Sequence, residues 1–226
     1  MFGRRDTKDP TKLLKLHSND WRQGELLRVT PRRRWDTDPT ATRMVIRRHD
    51  AGEFALAPMR WGLTPERHTD EEKLRPLITV RAETLAGHIE WRRLLNARRC
   101  VVPADQFFEW MRVNGVRTRE YGFKLKSRRP MMIAALWNRT VSPTGKPADA
   151  FAYISCQANR LVSLVHDRMP VILDDASMAA WFNPDATLED LLALLKPCDA
   201  SLLDCQLAGE TARPKPHQPS LFASAA

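Results

Sequence analysis

Glu109 is the acidic residue whose surroundings best suit acid–base chemistry in this chain. It stands between Phe108 and Trp110, whose side chains point to the opposite face if the segment is a strand. A strand lined with aromatic residues can partly remove a carboxylate from water, and this raises the pKa of the carboxylate toward the range of a general acid or base. The residues alone leave a second interpretation open, a surface carboxylate at the edge of a sheet.

His166 is the matching basic candidate. It is followed by Asp167 and Arg168 and then by Met169-Pro170. Three ionisable residues beside a proline favour a loop, and loops carry binding and catalytic residues more often than cores do. A single histidine is also commonly structural, so the pattern leaves both roles open.

A third group of residues could contact nucleic acid. Arg81 and Glu83 stand at the start of a predicted helix, where the arginine could hold a phosphate through two hydrogen bonds. It could equally pair with Glu83 or cap the sheet, and the residues alone favour these uses. Among seven tryptophans, Trp61 and Trp110 lie beside polar loops and could stack on unpaired bases, although tryptophan more often packs in cores.

Composition limits the class of protein. The chain has 226 residues, of which 43% are hydrophobic, and we expect one domain over 1–208 and a disordered tail over 209–226. The net charge of +9 favours a polyanionic partner such as nucleic acid. No CxxC pair and no histidine cluster suggests a metal, so we expect no metal and no cofactor. No signal peptide or membrane-spanning stretch is visible, and we expect a cytoplasmic monomer that contacts no membrane.

The elements that would position these residues are mostly strands. Alternating segments separated by turn residues predict an α+β protein that is mostly β, with a curved or partly closed β-barrel core and flanking helices. The turn Asn114-Gly115 is the strongest hairpin signal. Strands are predicted over 43–47, 53–60, 99–102, 107–112, 121–125, 131–137 and 150–156, and helices over 11–16, 83–96, 159–165, 174–182 and 187–195.

Two islands of sequence carry a resemblance to a known family. They are Arg-Cys-Val-Val-Pro-Ala-Asp-Gln-Phe-Phe-Glu-Trp over 99–110 and His-Asp-Arg-Met-Pro-Val-Ile-Leu over 166–173. With 58–65 and 81–84, they resemble the SRAP (SOS response-associated peptidase) family across roughly 1–184. The resemblance implies the SRAP fold and processing of abasic sites in single-stranded DNA during the DNA damage response.

In that family the exposed N-terminal cysteine reacts with the aldehyde of the abasic site. Its α-amine first forms a Schiff base, and its thiol then closes a thiazolidine ring, which crosslinks the protein to the DNA. The resemblance places the family's glutamate on Glu109, expected to manage protons at the nucleophile, and its histidine on His166, expected to assist opening of the sugar ring. The DNA contacts expected from the residues and the resemblance together are Arg4, Pro39, Trp61, Arg67, Arg81, Trp110 and Arg168.

Three positions depart from the family pattern. Phe2 stands where the family has its cysteine, so the thiol is missing and Met1 is expected to be retained. Phenylalanine has no group able to act as a nucleophile. Thr79 replaces the asparagine that positions the reacting sugar, and Arg67 replaces a tryptophan. We count Phe2 and Thr79 among the catalytic positions.

The sequence therefore predicts binding to single-stranded or junction DNA at abasic sites without the thiazolidine crosslink. One alternative is a lyase whose N-terminal amine forms a Schiff base while Glu109 and His166 move protons. In a variant of this, Cys156 supplies a substitute thiol. Another alternative is a non-catalytic module that binds nucleic acid or protein. General proteolysis is disfavoured, because no serine or cysteine nucleophile is evident.

Overall fold

The computed structural model describes residues 42–48, 54–63, 76–141 and 147–210. These ranges hold four short α-helices, α1 (Ala82–Leu85), α2 (Ile89–Ala97), α3 (Asp175–Trp181) and α4 (Leu188–Ala193). None of the helices found there is long and apolar enough to span a bilayer. The strands of the same ranges are β1 (Thr42–Arg48), β2 (Phe54–Trp61), β3 (Thr79–Arg81), β4 (Arg99–Ala104), β5 (Phe107–Val113), β6 (Val116–Leu125), β7 (Met131–Val141), β8 (Pro147–Gln157), β9 (Arg168–Pro170), β10 (Ile172–Leu173) and β11 (Leu203–Glu210).

Five of these strands close into a barrel. β1 pairs antiparallel with β2 and β4, β4 pairs with β7, β7 pairs with β8, and β8 returns to β2 in a parallel pairing. Closure gives each of the five strands a partner on both sides and removes exposed edges. The predicted mostly β fold with a barrel core and flanking helices is confirmed, and the barrel is closed.

Alternate residues of the five strands fill the barrel, because successive side chains of a strand point to opposite faces. Trp61 and Tyr153 pack against this interior cluster near one end. The buried members of the cluster are Val45, Met59, Cys100, Val102, Ala135, Trp137 and Phe151.

The opposite face of the barrel strands packs against the helices. Trp181 of α3 is fully buried and donates its indole N–H to the carbonyl oxygen of Cys100 at 3.1 Å. Side chains cap the N-termini of both α3 and α4. The Asp174 carboxylate accepts a hydrogen bond from the Ser177 N–H at the start of α3, and Thr187 and Asp190 form a capping box at the start of α4. The helices predicted over 174–182 and 187–195 are thereby confirmed.

A second sheet of three strands, in the order β11-β6-β5, lies apart from the barrel pairing. β5 and β6 form a hairpin whose turn is Asn114-Gly115, with positive φ angles of 51° and 79°. Asparagine and glycine are the residues that tolerate this conformation, which explains why the turn could be predicted. Within the sheet, β5 is an outer strand.

Several predicted elements differ from the structure. The helix predicted over 83–96 is two helices, α1 and α2, separated by a turn that contains Gly87. The helix predicted over 159–165 is a single 3₁₀ turn over Val162–Leu164, and the helix predicted over 11–16 lies outside the described residues. β3, β9, β10 and β11 were not predicted. The first three contain only two or three residues, too few to show alternation, and their pairing with β7 and β8 defines them.

Candidate active site

Glu109 and His166 meet between the second sheet and the barrel. Glu109 lies in the middle of β5, and His166 lies in the loop that leads from the 3₁₀ turn into β9. His166 Nε2 is 3.8 Å from Glu109 Oε2, and the two side chains are 30% and 28% exposed. The two sequence candidates are therefore neighbours, and both remain accessible to a ligand.

The loop that carries His166 contacts one of its two ring nitrogens. Nδ1 lies 3.0 Å from the Arg168 backbone nitrogen, from which it can accept, and 3.3 Å from the Arg168 carbonyl oxygen, to which it can donate. The other ring nitrogen, Nε2, faces Glu109. Which nitrogen carries the proton of the neutral ring is set by which of these two contacts Nδ1 makes.

Folding makes Glu109 harder to ionise. Burial raises the pKa of its carboxyl, and the negative charge of Asp167 adds to the rise, while His166, Arg117 and Arg112 oppose it. Asp167 Oδ1 lies 3.3 Å from His166 Nδ1, so the loop places a second carboxylate beside the pair. A glutamate with a raised pKa next to an imidazole suits proton transfer.

Arg168 is held in place by two groups. Its guanidinium makes a two-pronged ion pair with Glu83, at 2.8 Å and 2.9 Å, and donates to the Ser155 carbonyl oxygen at 2.6 Å. The hydrogen bond from Arg168 lowers the pKa of Glu83, against the effect of burial. Arg168 Nε is buried without a hydrogen-bond partner. The hydrogen-bonded partner of Glu83 is thus Arg168, and the charge of Arg81 also lowers the pKa of Glu83.

Thr79 and Arg81 lie on the short strand β3, both exposed. β3 runs parallel to β8, with Thr79 opposite Tyr153 and Arg81 opposite Ser155. Residues directly opposite one another share a face, so Arg81 lies on the same face as Ser155, which contacts Arg168. A cation is therefore exposed beside the Arg168–Glu83 pair.

Trp61 closes the end of the barrel beside this strand. Its indole N–H donates to the carbonyl oxygen of Ile78 at 2.9 Å. Its ring packs against that of Tyr153 in a T-shaped arrangement, with 5.5 Å between the ring centres. These contacts attach the end of β2 to the start of β3. Trp61 is thus half-buried next to Thr79 and can present part of its ring there.

Trp110 lies on the other face of β5 from Glu109, as the alternation predicts. The guanidinium carbon of Arg117 lies 5.9 Å from the centre of its ring. The expected site residues Phe2, Arg4, Pro39 and Arg67 lie outside the described residues.

Sequence reasoning missed Ser155, which takes part in holding Arg168. Nothing in the sequence singles out this serine; only the register of β8 with β3 and β9 reveals its position. The neighbouring Cys156 points to the opposite face, where it is 2% exposed, and burial raises the pKa of its thiol to about 11. The idea that Cys156 supplies a substitute thiol is therefore wrong, because the sulfur lies in the core. Across the described ranges, no three His, Cys, Asp or Glu residues form a metal-binding group.

Comparison with known proteins gives consistent matches. The model of the family "SOS response associated peptidase (SRAP)" matches residues 1–209. The abasic site processing protein YoqW of Bacillus subtilis is 36% identical over 178 residues, covering 78% of this chain and 80% of the relative. The abasic site processing protein HMCES of Xenopus tropicalis is 26% identical over 208 residues, covering 80% of this chain and 62% of the relative.

Two crystal structures share the fold. A protein from Bacteroides thetaiotaomicron superposes with a TM-score of 0.68 at 23% identity, covering 86% of this chain and 87% of that chain. A protein from Bordetella bronchiseptica superposes with a TM-score of 0.67 at 24% identity, covering 92% and 100%. At this level of identity the likeness concerns the architecture alone.

Proposed function

This chain belongs to the SOS response associated peptidase (SRAP) family, and from that premise we propose that it binds single-stranded or junction DNA at abasic sites without forming a thiazolidine crosslink. The observation that carries the proposal is the Glu109–His166 pair, with 3.8 Å between its nearest atoms. The pair persists in a chain whose second residue is Phe2. Its relatives are named for abasic site processing.

In the proposed complex the abasic sugar lies against the Glu109–His166 pair. His166 Nε2 and the Glu109 carboxyl hydrogen-bond oxygens of the sugar. Arg81 is exposed beside the site and neutralises a neighbouring phosphate. Phe2 stands at the sequence position of the family's cysteine and offers no electron pair for attack on the aldehyde.

Binding anisotropy with labelled single-stranded oligonucleotides tests this proposal. We expect tighter binding to a strand with an abasic site than to the same strand intact, and a loss of affinity in Arg81→Gln. Arg92→Gln, which removes an exposed arginine from α2, serves as the charge-matched control and should bind like the wild type. Equal affinity for abasic and intact strands would overturn the proposal.

A second candidate is a Schiff-base lyase. The favouring observation is that Glu109, whose pKa burial raises, lies 3.8 Å from His166, so two groups able to move protons share one site. The N-terminal amine would add to the aldehyde with loss of water to give an imine. A base would then remove the proton on the adjacent carbon, and the 3′ phosphate would leave as the new double bond forms.

Borohydride separates the two candidates, because it reduces an imine to a stable amine and leaves a bound complex untouched. Our primary proposal predicts no covalent band with borohydride. Trapping that disappears when the N-terminus is acetylated, and that is lost in Glu109→Gln, would favour the lyase instead. Trapping that survives acetylation would point to a lysine and remove the N-terminal mechanism.

A further inference from the structure

Glu83 and His166 lie on different elements, and Arg168 connects them. Glu83 lies in the first turn of α1, and its carboxylate pairs with the Arg168 guanidinium at 2.8 Å and 2.9 Å. The same guanidinium donates to the Ser155 carbonyl oxygen at 2.6 Å. The far end of the Arg168 side chain is therefore fixed by α1 and by β8.

The backbone of Arg168 contacts the ring of His166. Its nitrogen, at 3.0 Å, and its carbonyl oxygen, at 3.3 Å, both lie within hydrogen-bond distance of His166 Nδ1. The peptide before Arg168 is also held from β8, because the Ala158 N–H donates to the Asp167 carbonyl oxygen at 2.9 Å. The two peptide units that flank Arg168 thus set the direction of His166 Nε2, the ring atom that faces Glu109.

Arg168 depends on Glu83 for its charge balance. The side chain of Arg168 is 17% exposed, and its Nε is buried without a hydrogen-bond partner. A largely buried cation that loses its counter-ion is unfavourable, so the cation moves toward water where the chain allows. Without the Glu83 carboxylate, such a movement would displace the Arg168 backbone against the His166 ring.

We propose that Glu83 is a positioning residue of the candidate active site, which fixes the orientation of the His166 ring toward Glu109 by way of Arg168. The observation that carries the inference is that one residue, Arg168, contacts Glu83 with its side chain and His166 with its backbone. The inference rests on the proposed recognition of the abasic sugar by the Glu109–His166 pair, and it names a further residue on which that recognition depends.

A role of Arg168 as a phosphate contact predicts a different effect of the same change. If Glu83 only competed with a DNA phosphate for the guanidinium, removal of its charge would tighten binding to abasic and intact strands alike. If Glu83 positions His166, its removal weakens binding to the abasic strand relative to the intact one. The ratio of the two affinities therefore separates the two roles.

The first test is the ¹⁵N and ¹H NMR spectrum of the His166 ring, which needs no DNA. We expect Glu83→Gln to shift the ring signals of His166, identified by their loss in His166→Gln, because the groups around Nδ1 move. The backbone amide signals of β4 and β7 should stay unchanged, which reports an intact barrel. Glu83→Asp keeps the charge and should shift the His166 signals less than Glu83→Gln does.

The second test is the ratio of the affinities for abasic and intact single strands, measured by anisotropy. Glu83→Gln should lower this ratio by roughly twofold to thirtyfold, the range for residues that act on a site indirectly. Glu83→Asp should recover part of the preference. Glu189→Gln, which removes the same charge from the first turn of α4, is the matched control and should keep the wild-type ratio.

A double-mutant cycle tests whether Glu83 acts through Arg168. Arg168→Gln should also lower the ratio, and adding Glu83→Gln to it should cause no further loss, because the connection is already broken. A further loss of full size in the double variant would overturn the inference. Unchanged His166 signals in Glu83→Gln, or tighter binding of that variant to both strands at an unchanged ratio, would overturn it too.

Failure of this inference is distinguishable from failure of the proposed function. If the wild type binds intact and abasic strands equally, the proposed function fails, while the His166 spectrum still tests the connection to Glu83. If the wild type prefers abasic strands and Glu83→Gln changes neither the spectrum nor the ratio, only the inference about Glu83 fails.

Discussion

Folding opposes the ionisation of Glu109 and favours that of Glu83. Burial raises the pKa of Glu109, whereas the hydrogen bonds from Arg168 lower the pKa of Glu83. By linkage, the charge on Glu109 reduces stability above its folded pKa, and the charge on Glu83 adds stability that is lost as the pH falls through its folded pKa. The charges of these two neighbouring carboxylates therefore have opposite effects on the free energy of unfolding. This difference fits a role of Glu83 in positioning Arg168 and a role of Glu109 that does not stabilise the fold.

Glu109→Gln should therefore stabilise the protein at neutral pH, because it removes a charge whose burial is unfavourable. The difference from the wild type should shrink as the pH falls through the folded pKa, because the wild-type carboxyl then becomes neutral too. Urea unfolding across this pH range measures it. A Glu109→Gln protein less stable than the wild type at neutral pH would contradict the buried-carboxylate account.

Glu83→Gln should show the opposite sign. It removes the ion pair to Arg168, whose two side chains are 17% and 47% exposed, so the loss at neutral pH should stay near or below about 1 kcal/mol. The deficit should vanish at low pH, where the wild-type carboxyl is protonated. A deficit that is constant with pH would show that packing, rather than charge, accounts for the loss.

At this scale the sequence singled out Glu109 and His166, which the structure brings together, but it did not show which side chains contact Arg168. Glu109 and His166 are surrounded by residues that mark them, Phe108 and Trp110 on one side and a charged loop on the other. The pairing of Glu83 with Arg168 depends on the register of three strands and has no local signal. For the same reason Ser155 could not be predicted, and the sequence did not reveal that Cys156 is buried.

Arg99 joins the barrel to the helices. From the start of β4 its guanidinium donates to the carbonyl oxygens of Leu95 and Asn96 near the end of α2, and to those of Trp181 and Asn183 at the end of α3. The last carbonyls of a helix have no partner within the helix, so one arginine satisfies two helix ends. A positive charge there also suits the negative end of each helix dipole.

Arg99→Met should reduce the free energy of unfolding by about 3 kcal/mol, because it leaves several partly buried carbonyls without a donor. Arg92→Met, at an exposed position of α2, should change stability by less than about 0.5 kcal/mol. Urea denaturation of both variants measures the contrast. Equal stability of the two variants would show that water replaces the guanidinium at little cost.

The elements that could be predicted have strong local signals. Asn114-Gly115 encodes its own turn, and Thr187 with Asp190 encodes the start of α4. The strands β3, β9 and β10 have no such signal, since a strand of two or three residues is stable only through its neighbours. β3 nevertheless carries Thr79 and Arg81 to the candidate site, and β9 carries Arg168.

The whole molecule combines a closed barrel with a separate three-stranded sheet, and the candidate site lies where the two meet. β5 of the sheet supplies Glu109, and the loop before β9 supplies His166. The net charge of +9 favours association with a polyanion on any part of the surface, so charge alone does not locate the strand. The exposed Arg81 lies beside the Arg168–Glu83 pair, and the proposed function depends on the Glu109–His166 pair persisting without a thiol at position 2.

A denaturing gel run without borohydride tests this claim most directly. The wild type and Phe2→Cys are each incubated with abasic single-stranded DNA, after native gels have shown that both bind it. We predict no covalent band for the wild type, and a stable shifted band for Phe2→Cys once its initiator methionine is removed. A stable shifted band from the wild-type chain would contradict the account.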